Sequence, residues 1–511
     1  MKKISKMQWE NYKNSPRGQQ VIAEFAKLYN ENVPTTDILQ LCRKYDPQSF
    51  SNYGSKELDT CLKVMDFFDG IIGNVAGTYK FEDTDDKLHF YVEETLHAAL
   101  GDEELDGEGF ASQQAYKMLL SDNIFISTML YCYFPKLYLP NLWVMQYKYF
   151  CKIAKKYEIE LPEEPKRADY YGRNLYYLVV CNMMFSLCEE NEIAEPAEIC
   201  AFFYDYEMEL IKEEIEEENR SNELPTPSQA WFLVGTYGEI ERNMENGFWQ
   251  ANSETKRGDI LVFYEKAPAK SINAIYRAKE DGVTDPFFAY YSNTYISDKV
   301  EMPAISLQEL QRHPYFKEHK LIHKNFQGGS GWPLNSEDYN QLKQIWADKG
   351  YDIESLPKLK AHEAPNDIDY TEKEAAVNKY QVLPLLKDMG WTVENGDIIE
   401  QVVLHLGRGN AGKNGRTDIS LHPYGEEKKD AKVVIEEKFW MKNEAEIKET
   451  FDQGVSYAKQ QSASVCVICD KSQIIVYPKQ KDGFKINKCI VFYWDEMSNP
   501  DKFNELKKLL S

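Results

Sequence analysis

The stretch Ala431–Trp440, AKVVIEEKFW, places two glutamates and a lysine directly after a run of β-branched residues. Such a run predicts a buried strand. Because side chains alternate between the two faces of a strand, Glu436 and Lys438 should point the same way and Glu437 the opposite way. The upstream stretch TDISLH, which carries Asp418, also has strand character. If the two strands are neighbours, Asp418, Glu436 and Lys438 come together.

These three residue types suit metal-dependent phosphodiester hydrolysis. Two carboxylates can hold a hard divalent cation that keeps open positions for water, and the cation lowers the pKa of the attacking water. A lysine beside them can orient that water and stabilise the negative charge that develops on the phosphate. The pattern therefore predicts a site for Mg²⁺, with Mn²⁺ as an alternative.

The surrounding elements predict a mixed α/β layer over residues 370–511. The stretch TEKEAAVNKYQVLPLLKDMGW indicates an amphipathic helix that ends at Gly390. Five strand candidates follow, IIEQVVLHL, TDISLH, AKVVIEEKFW, SVCVICD and QIIVYPK. The helical stretch NEAEIKETFDQGVSYAKQQ stands between the third and the fourth.

This combination resembles the PD-(D/E)xK nucleases, and within them the Q-x-x-x-Y subgroup found in the N-terminal nuclease domain of type I restriction endonucleases. The matching pieces are EAAVNKYQVLPLLKDMGW, TDISL, VIEEK and QGVSYA, and one departure is that Asp418 follows threonine where proline is common. The resemblance implies that Lys438 orients the nucleophile and that Gln453 and Tyr457 hold the DNA strand to be cut. The metal ligands that it implies are Asp418, Glu436 and Glu374, the last direct or through water.

The loop GRGNAGKNGRTDIS, Gly407–Ser420, is nearly a phosphate loop. A phosphate loop needs a hydroxyl residue after the glycine-lysine pair and a helix that begins at once, whereas Asn414 stands at the hydroxyl position and the sequence continues as a strand. We therefore expect no nucleotide cofactor. Arg408, Lys413 and Arg416 could contact DNA phosphates, or they could belong to a merely solvated basic loop.

Residues 229–348 predict a compact, mostly β module. The stretches WFLVGTYG, RGDILVFYEK, INAIYRAKE, ISLQELQRHPYF and GGSGWPLNSEDYNQL resemble the EVE domain, a small PUA-like β-barrel related to readers of modified bases. That resemblance implies an aromatic cage for a flipped base. Trp249, Trp332 and Trp231 are the candidates, and the alternative for each is packing in the core.

Residues 1–222 predict mainly helices, and residues 349–369 a linker. The N-terminal region weakly resembles a helical segment that precedes the GTPase in some modified-cytosine restriction motors. An ordinary helical scaffold is the alternative.

The composition sets limits on partners and location. The chain has 511 residues and a formal net charge of −23, which argues against broad adhesion to DNA or to an anionic membrane. The polar start and the lack of a long apolar run indicate a cytoplasmic protein. The ten scattered cysteines suit reduced, buried thiols, Cys466 and Cys469 included.

The sequence thus predicts an α+β multidomain protein with a helical N-terminal region, an EVE-like barrel and a nuclease with a mixed sheet. The expected function is Mg²⁺-dependent cleavage of double-stranded DNA in a type IV-like restriction or anti-phage system, directed to modified cytosine. One alternative is a nuclease whose reader senses a sequence or an end structure. Others are a modified-nucleic-acid binding protein, and a nuclease subunit that needs a separate motor. A homodimer would supply two active sites for a double-strand break.

Overall fold

The structure is a computed structural model that describes residues 3–50, 53–81, 86–87, 90–91, 110–218, 223–236, 248–296, 299–365, 367–406, 413–425 and 428–511. It has mixed α/β architecture, as predicted, and its contacts divide it into two compact units. One unit comprises Met1–Pro225 and Trp231–Trp332, and the other comprises Thr226–Ala230 and Pro333–Ser511. Among the helices of these described ranges, none has the length and apolar character to cross a membrane.

The N-terminal region is helical, which confirms the prediction. Its helices are α1 Lys6–Lys13, α2 Pro16–Asn30, α3 Thr35–Tyr45, α4 Pro47–Phe50, α5 Ser55–Ala76, α6 Phe110–Ser121, α7 Asn123–Tyr133, α8 Tyr147–Lys156, α9 Tyr170–Glu190, α10 Pro196–Ala201 and α11 Glu207–Glu218, with a π-turn at Phe202–Tyr206 before α11. Their buried faces form one core that is rich in aromatic residues, Trp143, Tyr177 and Phe202 among them. Aromatic side chains bury large areas, so this region has ample apolar material for a stable helical body.

The same unit includes most of the middle β region, which contacts the helices through the turn after Thr284. Phe287 of this turn is buried in the helical core, with its ring 5.5 Å from that of Tyr147. The buried Arg173 of α9 donates through Nε to the Pro286 carbonyl at 2.7 Å. The helices and the middle β region therefore share apolar and polar contacts.

The middle β region contains two sheets. The strands are β1 Ala230–Gly235, β2 Phe248–Gln250, β3 Ile260–Glu265, β4 Ser271–Arg277, β5 Val283–Thr284, β6 Ser292–Tyr295, β7 Val300–Ser306 and β8 Trp332–Leu334. The order is β7-β4-β3-β1-β8 in the five-stranded sheet and β2-β6-β5 in the three-stranded sheet. The short helices α12 Leu307–Arg312 and α13 Lys320–His323 follow β7. The alternation of strand-like segments with turn residues in the sequence predicted this β-rich character.

The C-terminal α/β region is built on a six-stranded mixed sheet of order β16-β15-β14-β13-β12-β9. Its strands are β9 Ile398–Glu400, β12 Ile419–Tyr424, β13 Asp430–Glu437, β14 Val465–Cys469, β15 Gln473–Pro478 and β16 Ile490–Tyr493, and the pair β10 Val403–Leu406 and β11 Lys413–Arg416 forms a separate two-stranded sheet. The helices are α14 Ser336–Asp348, α15 Glu374–Val377, α16 Leu383–Met389, α17 Glu444–Gln460 and α18 Pro500–Leu510. A π-turn at Asn378–Val382 joins α15 to α16.

The sheet is covered on both faces. Val433 and Ile435 of β13 face a core shared with α16 and α18, whereas Val434 faces a second core shared with α17. β13 and β14 are parallel, and α17 is the crossover between them. This is the arrangement that a strand, helix, strand sequence predicts.

Most predicted elements of this region are confirmed. The helix before the sheet ends at Gly390, whose φ of 97° is the left-handed conformation favoured for glycine at a helix end. The first predicted strand divides into β9 and β10, and β16 lies outside the predicted set. Lys413–Arg416 is a strand, so the helix that a phosphate loop requires is absent at this described segment.

Candidate active site

Strand register brings the first two predicted carboxylates together. β12 and β13 are antiparallel, and Ile419 pairs with Ile435. Asp418, which immediately precedes β12, therefore lies at the end of β13 that carries the glutamates. The Glu437 backbone N–H donates to Asp418 Oδ2 at 2.7 Å, and this bond fixes the aspartate at the end of the strand pair.

Glu436 and Lys438 form an ion pair on one side of this strand end. Lys438 Nζ lies 2.8 Å from Glu436 Oε1, as the two-residue spacing predicts. Glu436 is buried, with 1% of its surface exposed, while the lysine side chain is 28% exposed. The second oxygen, Glu436 Oε2, is buried and has no hydrogen-bond partner among the described residues. A buried carboxylate oxygen in this state indicates a site for a cation or a water molecule.

Burial also controls protonation of the acidic groups. Burial and, next, the neighbouring Asp418 charge raise the pKa of Glu436 to about 7 against the opposing effect of Lys438. Burial likewise raises the pKa of Asp418. For Lys438, burial is the largest cause and lowers the pKa, but the hydrogen bond to Glu436 and the nearby carboxylate charges together outweigh it, so the net shift is upward. The two carboxyl groups thus lie close enough to repel each other, which favours binding of a positive ion.

Glu437 points to the opposite face of the sheet, as alternation predicts, but it is not solvated. It is only 4% exposed, and its Oε1 accepts a hydrogen bond from Asn378 Nδ2 at 3.2 Å. Burial raises the pKa of Glu437 to about 8, with the Asp418 charge as the next cause. Sequence reasoning did not assign a role to Asn378 or Glu437, although a second acid within an apolar strand is the signal that could have identified this buried pair.

Glu374 lies at the start of α15 and is exposed. Its charge is one of the causes that raise the pKa values of Asp418 and Glu436, so it lies within electrostatic range of both. The preceding Lys373 has a φ of 53°, an unfavourable conformation for a residue with a side chain. That backbone turn sets where Glu374 enters the helix.

Gln453 and Tyr457 lie one turn apart on α17 and are hydrogen-bonded. Gln453 Nε2 donates to Tyr457 Oη at 3.3 Å. Between them, Gly454 permits close approach to the sheet, because an added Cβ would lie 3.0 Å from Cys466 Sγ and 3.5 Å from Glu436 Cβ. The helix α17, which bears Gln453 and Tyr457, therefore packs on the face of β13 on which Glu436 lies.

The donor set fits a hard divalent cation in part. Asp418 and Glu436 supply oxygen ligands, and the unpartnered Glu436 Oε2 is the observation that favours an ion. Within the described ranges, no group of three or more His, Cys, Asp or Glu side chains is already arranged to hold a metal. Glu374, the third predicted ligand, therefore affects Asp418 and Glu436 electrostatically but does not form a ligand cluster with them.

The three predicted DNA-backbone residues have different outcomes. Arg408 lies outside the described residues. Lys413 begins β11, and Arg416 ends it and is exposed. The pairing of Val403 with Arg416 places this arginine at the end of the small two-stranded sheet.

The tryptophans of the middle β region differ in burial. Trp249 and Trp231 belong to a buried cluster with Leu233, and an added Cβ at Gly235 would lie 2.2 Å from the Trp249 ring. The Trp231 indole N–H donates to Asp259 Oδ2 at 2.9 Å. This burial favours the packing interpretation for both. Trp332 is partly exposed, and its ring lies 6.3 Å from that of His319.

Asn293 is a polar residue of the middle region that sequence reasoning missed. It lies in β6 opposite Gln250 and is only 1% exposed. Both polar atoms of its amide, Oδ1 and Nδ2, lack hydrogen-bond partners among the described residues, and so does Trp249 Nε1. An unsatisfied buried amide is costly, so these atoms indicate a polar ligand or water. Nothing in the sequence distinguishes Asn293 from other strand asparagines.

Comparison with known proteins adds no functional information. No family model matches the chain, and no curated protein matches it. The NMR structure of Rpa0253 from Rhodopseudomonas palustris is similar over 23% of this chain and 93% of its own, with 14% identity and a TM-score of 0.20. A score at that level carries no argument about fold. The function must therefore be inferred from the geometry of the site.

Proposed function

We propose that this chain is a divalent-metal-dependent DNA endonuclease of a restriction or anti-phage system, with a PD-(D/E)xK site at Asp418, Glu436 and Lys438. The observation that carries the proposal is the convergence of the buried Glu436, the half-buried Asp418 and a lysine at the end of one strand pair, with Glu436 Oε2 left unpartnered. Structural ion pairs normally satisfy both oxygens of a buried carboxylate, so a purely structural role explains this arrangement poorly.

Each residue has a role that follows from its contacts. Mg²⁺, or Mn²⁺, held by Asp418 and Glu436 with Glu374 direct or through water, would supply charge that acidifies the attacking water and neutralises the phosphate. Lys438 stays charged, because its pKa is raised, and it can orient a water molecule and stabilise developing negative charge. The bond from the Glu437 N–H holds Asp418 in place.

The other polar groups serve the DNA strand. The amide of Gln453 and the hydroxyl of Tyr457 can hydrogen-bond to phosphate oxygens. Gly454, between these two residues, lets the helix backbone approach Glu436 closely. Arg416 is exposed and can neutralise a further phosphate. A chain of net charge −23 needs such local cationic groups, because its overall charge repels DNA.

The middle β region is proposed as the EVE-like reader that confines cleavage to modified DNA. The Asn293 amide supports this role, since it presents a donor and an acceptor that are both buried and unpartnered among the described residues. Reading a flipped base requires polar groups of this kind together with apolar walls. Trp332 is the predicted cage residue that is not fully buried.

Cleavage of matched duplexes tests the proposal. The duplexes are unmodified or carry 5-methylcytosine, 5-hydroxymethylcytosine or glucosylated 5-hydroxymethylcytosine, and each is incubated with Mg²⁺. Cutting of a modified duplex alone, abolished by Lys438→Ala, would support both halves of the proposal. Equal cutting of every duplex would overturn the reader, and absence of cutting with retained binding of modified DNA would overturn the nuclease.

A modified-nucleic-acid binding protein is the second candidate. It is favoured by the Asn293 amide, whose donor and acceptor are both buried and unpartnered among the described residues. The two candidates predict different results in the same assay, because a binding protein retains modified DNA but leaves it intact. Adding candidate motor proteins to that assay would detect a nuclease subunit that depends on a partner.

A further inference from the structure

The segment that follows the catalytic lysine carries an exposed aromatic and cationic surface. Trp440 lies two residues after Lys438 and is 46% exposed. Lys471 Nζ lies 4.2 Å from the centroid of the Trp440 ring and 4.9 Å from that of Phe439, and Lys442 Nζ lies 5.3 Å from Trp440. We call Phe439, Trp440, Lys442 and Lys471 the aromatic-lysine platform.

The platform is fixed to the end of β13 by hydrogen bonds of the backbone. The Lys438 N–H donates to the Cys469 carbonyl at 2.9 Å, and the Lys471 N–H donates to the Phe439 carbonyl at 3.2 Å. The wholly buried Asp470 accepts the Met441 N–H at 2.7 Å. These bonds tie the two segments of the platform to each other at the end of β13.

The platform also contacts the segment that leads to Glu374. The Phe439 ring lies 5.9 Å from that of Tyr370, whose hydroxyl donates to Gln381 Oε1. The Gln381 amide in turn donates to the Lys471 carbonyl at 3.3 Å. Tyr370 and Lys471 also line a cavity of ≈ 540 Å³, a size that accommodates a small organic group. The platform therefore adjoins the proposed active site through both Lys438 and the Glu374 segment.

An exposed tryptophan flanked by lysines matches the chemistry of single-stranded nucleic acid. Nucleobases stack on aromatic rings regardless of sequence, and ammonium groups bind the phosphates beside them. A paired base in a continuous duplex cannot offer its face to such a ring. Within the part of the chain that the structure describes, the ammonium groups of Lys442 and Lys471 contact aromatic rings and form no ion pair. Cation–π attraction is weak at exposed sites, so an incoming base can displace a lysine toward a phosphate.

We propose that the aromatic-lysine platform stacks an unpaired nucleotide next to the phosphate that is cut, so that the nuclease prefers DNA that is locally opened. The inference rests on the proposed nuclease function and names a feature of its substrate. Trp440 supplies the stacking surface, and Lys442 and Lys471 supply charge for the flanking phosphates.

Binding of labelled DNA to the full chain in the absence of divalent cations tests the platform. The probes are a continuous duplex and the same duplex with one bulged nucleotide. The wild type should bind the bulged duplex more tightly. Trp440→Ala should weaken that binding roughly tenfold with a smaller effect on the continuous duplex, because loss of one stacking contact has this size. Trp440→Phe should restore most of the preference.

Charge variants and a matched control separate stacking from general effects. Lys471→Ala and Lys442→Ala should each lower the slope of log affinity against log salt by about one. Tyr424, 45% exposed at the opposite end of β12, provides the control, and Tyr424→Ala should bind both probes as the wild type does. Unchanged melting temperature of Trp440→Ala would exclude misfolding.

The outcomes distinguish the platform from the nuclease. If the wild type cuts DNA and Trp440→Ala retains the full preference for the bulged duplex, the platform is wrong and the nuclease stands. Equal binding of both probes by the wild type also overturns the platform. Failure of the wild type to bind or cut any DNA overturns both. A change in self-association of Trp440→Ala without a change in DNA affinity would identify a protein contact in place of a nucleotide site.

Discussion

The residues predicted for a site in the six-stranded sheet of the C-terminal region and those predicted for a site in the middle β region lie in different surroundings. In the first, the predicted Asp418, Glu436 and Lys438 lie together at one strand end. In the second, the predicted Trp249 and Trp231 lie in an apolar core. Charged residues in a strand therefore carry more information about the location of a site than tryptophans do.

The physical reason is the cost of burial. Burying a carboxyl group or an ammonium group is unfavourable without a partner, so an acid in a strand constrains what must lie beside it. Burying a tryptophan is favourable in a core and in a ligand pocket alike. A pattern of tryptophans therefore leaves two interpretations open, while an acid-x-lysine pattern on a strand fixes a shared face.

Among the variants considered, removal of the charged side chain of Lys438 should have the largest effect. Lys438→Ala should lower the rate of DNA cleavage about 10²–10⁴-fold, because a charge that acts on the transition state is lost. Single-turnover cleavage of the duplex that the wild type cuts measures it. Lys432→Ala is the matched control, since Lys432 is an exposed lysine near the other end of β13. Equal loss in both variants would show that Lys438 acts only through general charge.

Trp249→Ala tests whether Trp249 serves packing in the apolar core or binding of a base. Its side chain is 7% exposed and packs against Gly235, so removal should leave a cavity and lower the free energy of unfolding by about 3–5 kcal/mol. Chemical denaturation measures this loss. Trp249→Phe, which keeps an aromatic ring, should lose less. Unchanged stability of Trp249→Ala together with lost binding of modified DNA would instead return Trp249 to the base cage.

The buried Glu437 provides a pH-dependent prediction. Its pKa is raised to about 8, so the native state holds a proton between pH 4.5 and 8 that the unfolded state has released. Native stability should therefore fall as pH rises through this window. Glu437→Gln cannot ionise, so it escapes this loss, and its amide keeps an oxygen that can accept from Asn378. The free energy of unfolding of Glu437→Gln relative to the wild type should therefore rise by about 1–3 kcal/mol between pH 6 and pH 8.5.

Unfolding in urea at the two pH values measures the Glu437→Gln effect. Glu449→Gln, at an exposed position of α17, is the control and should show no such change with pH. The same gain at both pH values would mean that Glu437 is ionised in the native state at pH 6.

The sequence predicted the C-terminal elements well because their signals are local. β-branched runs marked β12, β13, β14 and β15, and Gly390 marked a helix end. It could not predict that β9 and β10 separate, since the polar pair Glu400 and Gln401 within IIEQVVLHL is compatible with a continuous strand, whereas the φ of 57° at Gln401 breaks it. The register of β12 on β13 depends on the whole sheet.

The less visible site residues depend on tertiary contacts. Asn378 could not be identified from the sequence, because its role depends on the π-helix Asn378–Val382, from which its amide donates to Glu437. Asn293 is notable only because its amide is buried without a described partner. The predicted roles of Glu374 and the three tryptophans came from resemblance, and burial then separated Trp332 from the other two.

Trp332→Ala should have the smallest effect on stability. It tests whether the one predicted cage tryptophan that is partly exposed contacts a base. Because the ring is already partly exposed, the loss in unfolding free energy should be about 1 kcal/mol, below that of Trp249→Ala. If Trp332 forms one wall of a base cage, the ratio of affinities for modified and unmodified DNA should fall roughly tenfold, since a stacked base is worth a contact of that size. Paired binding titrations of the two duplexes measure that ratio, with Tyr290→Ala, a 55% exposed aromatic of the same unit, as the control. A ratio unchanged in Trp332→Ala would favour recognition by polar groups such as the Asn293 amide, because Trp332 would then not contact the base and the other two predicted tryptophans lie in the apolar core.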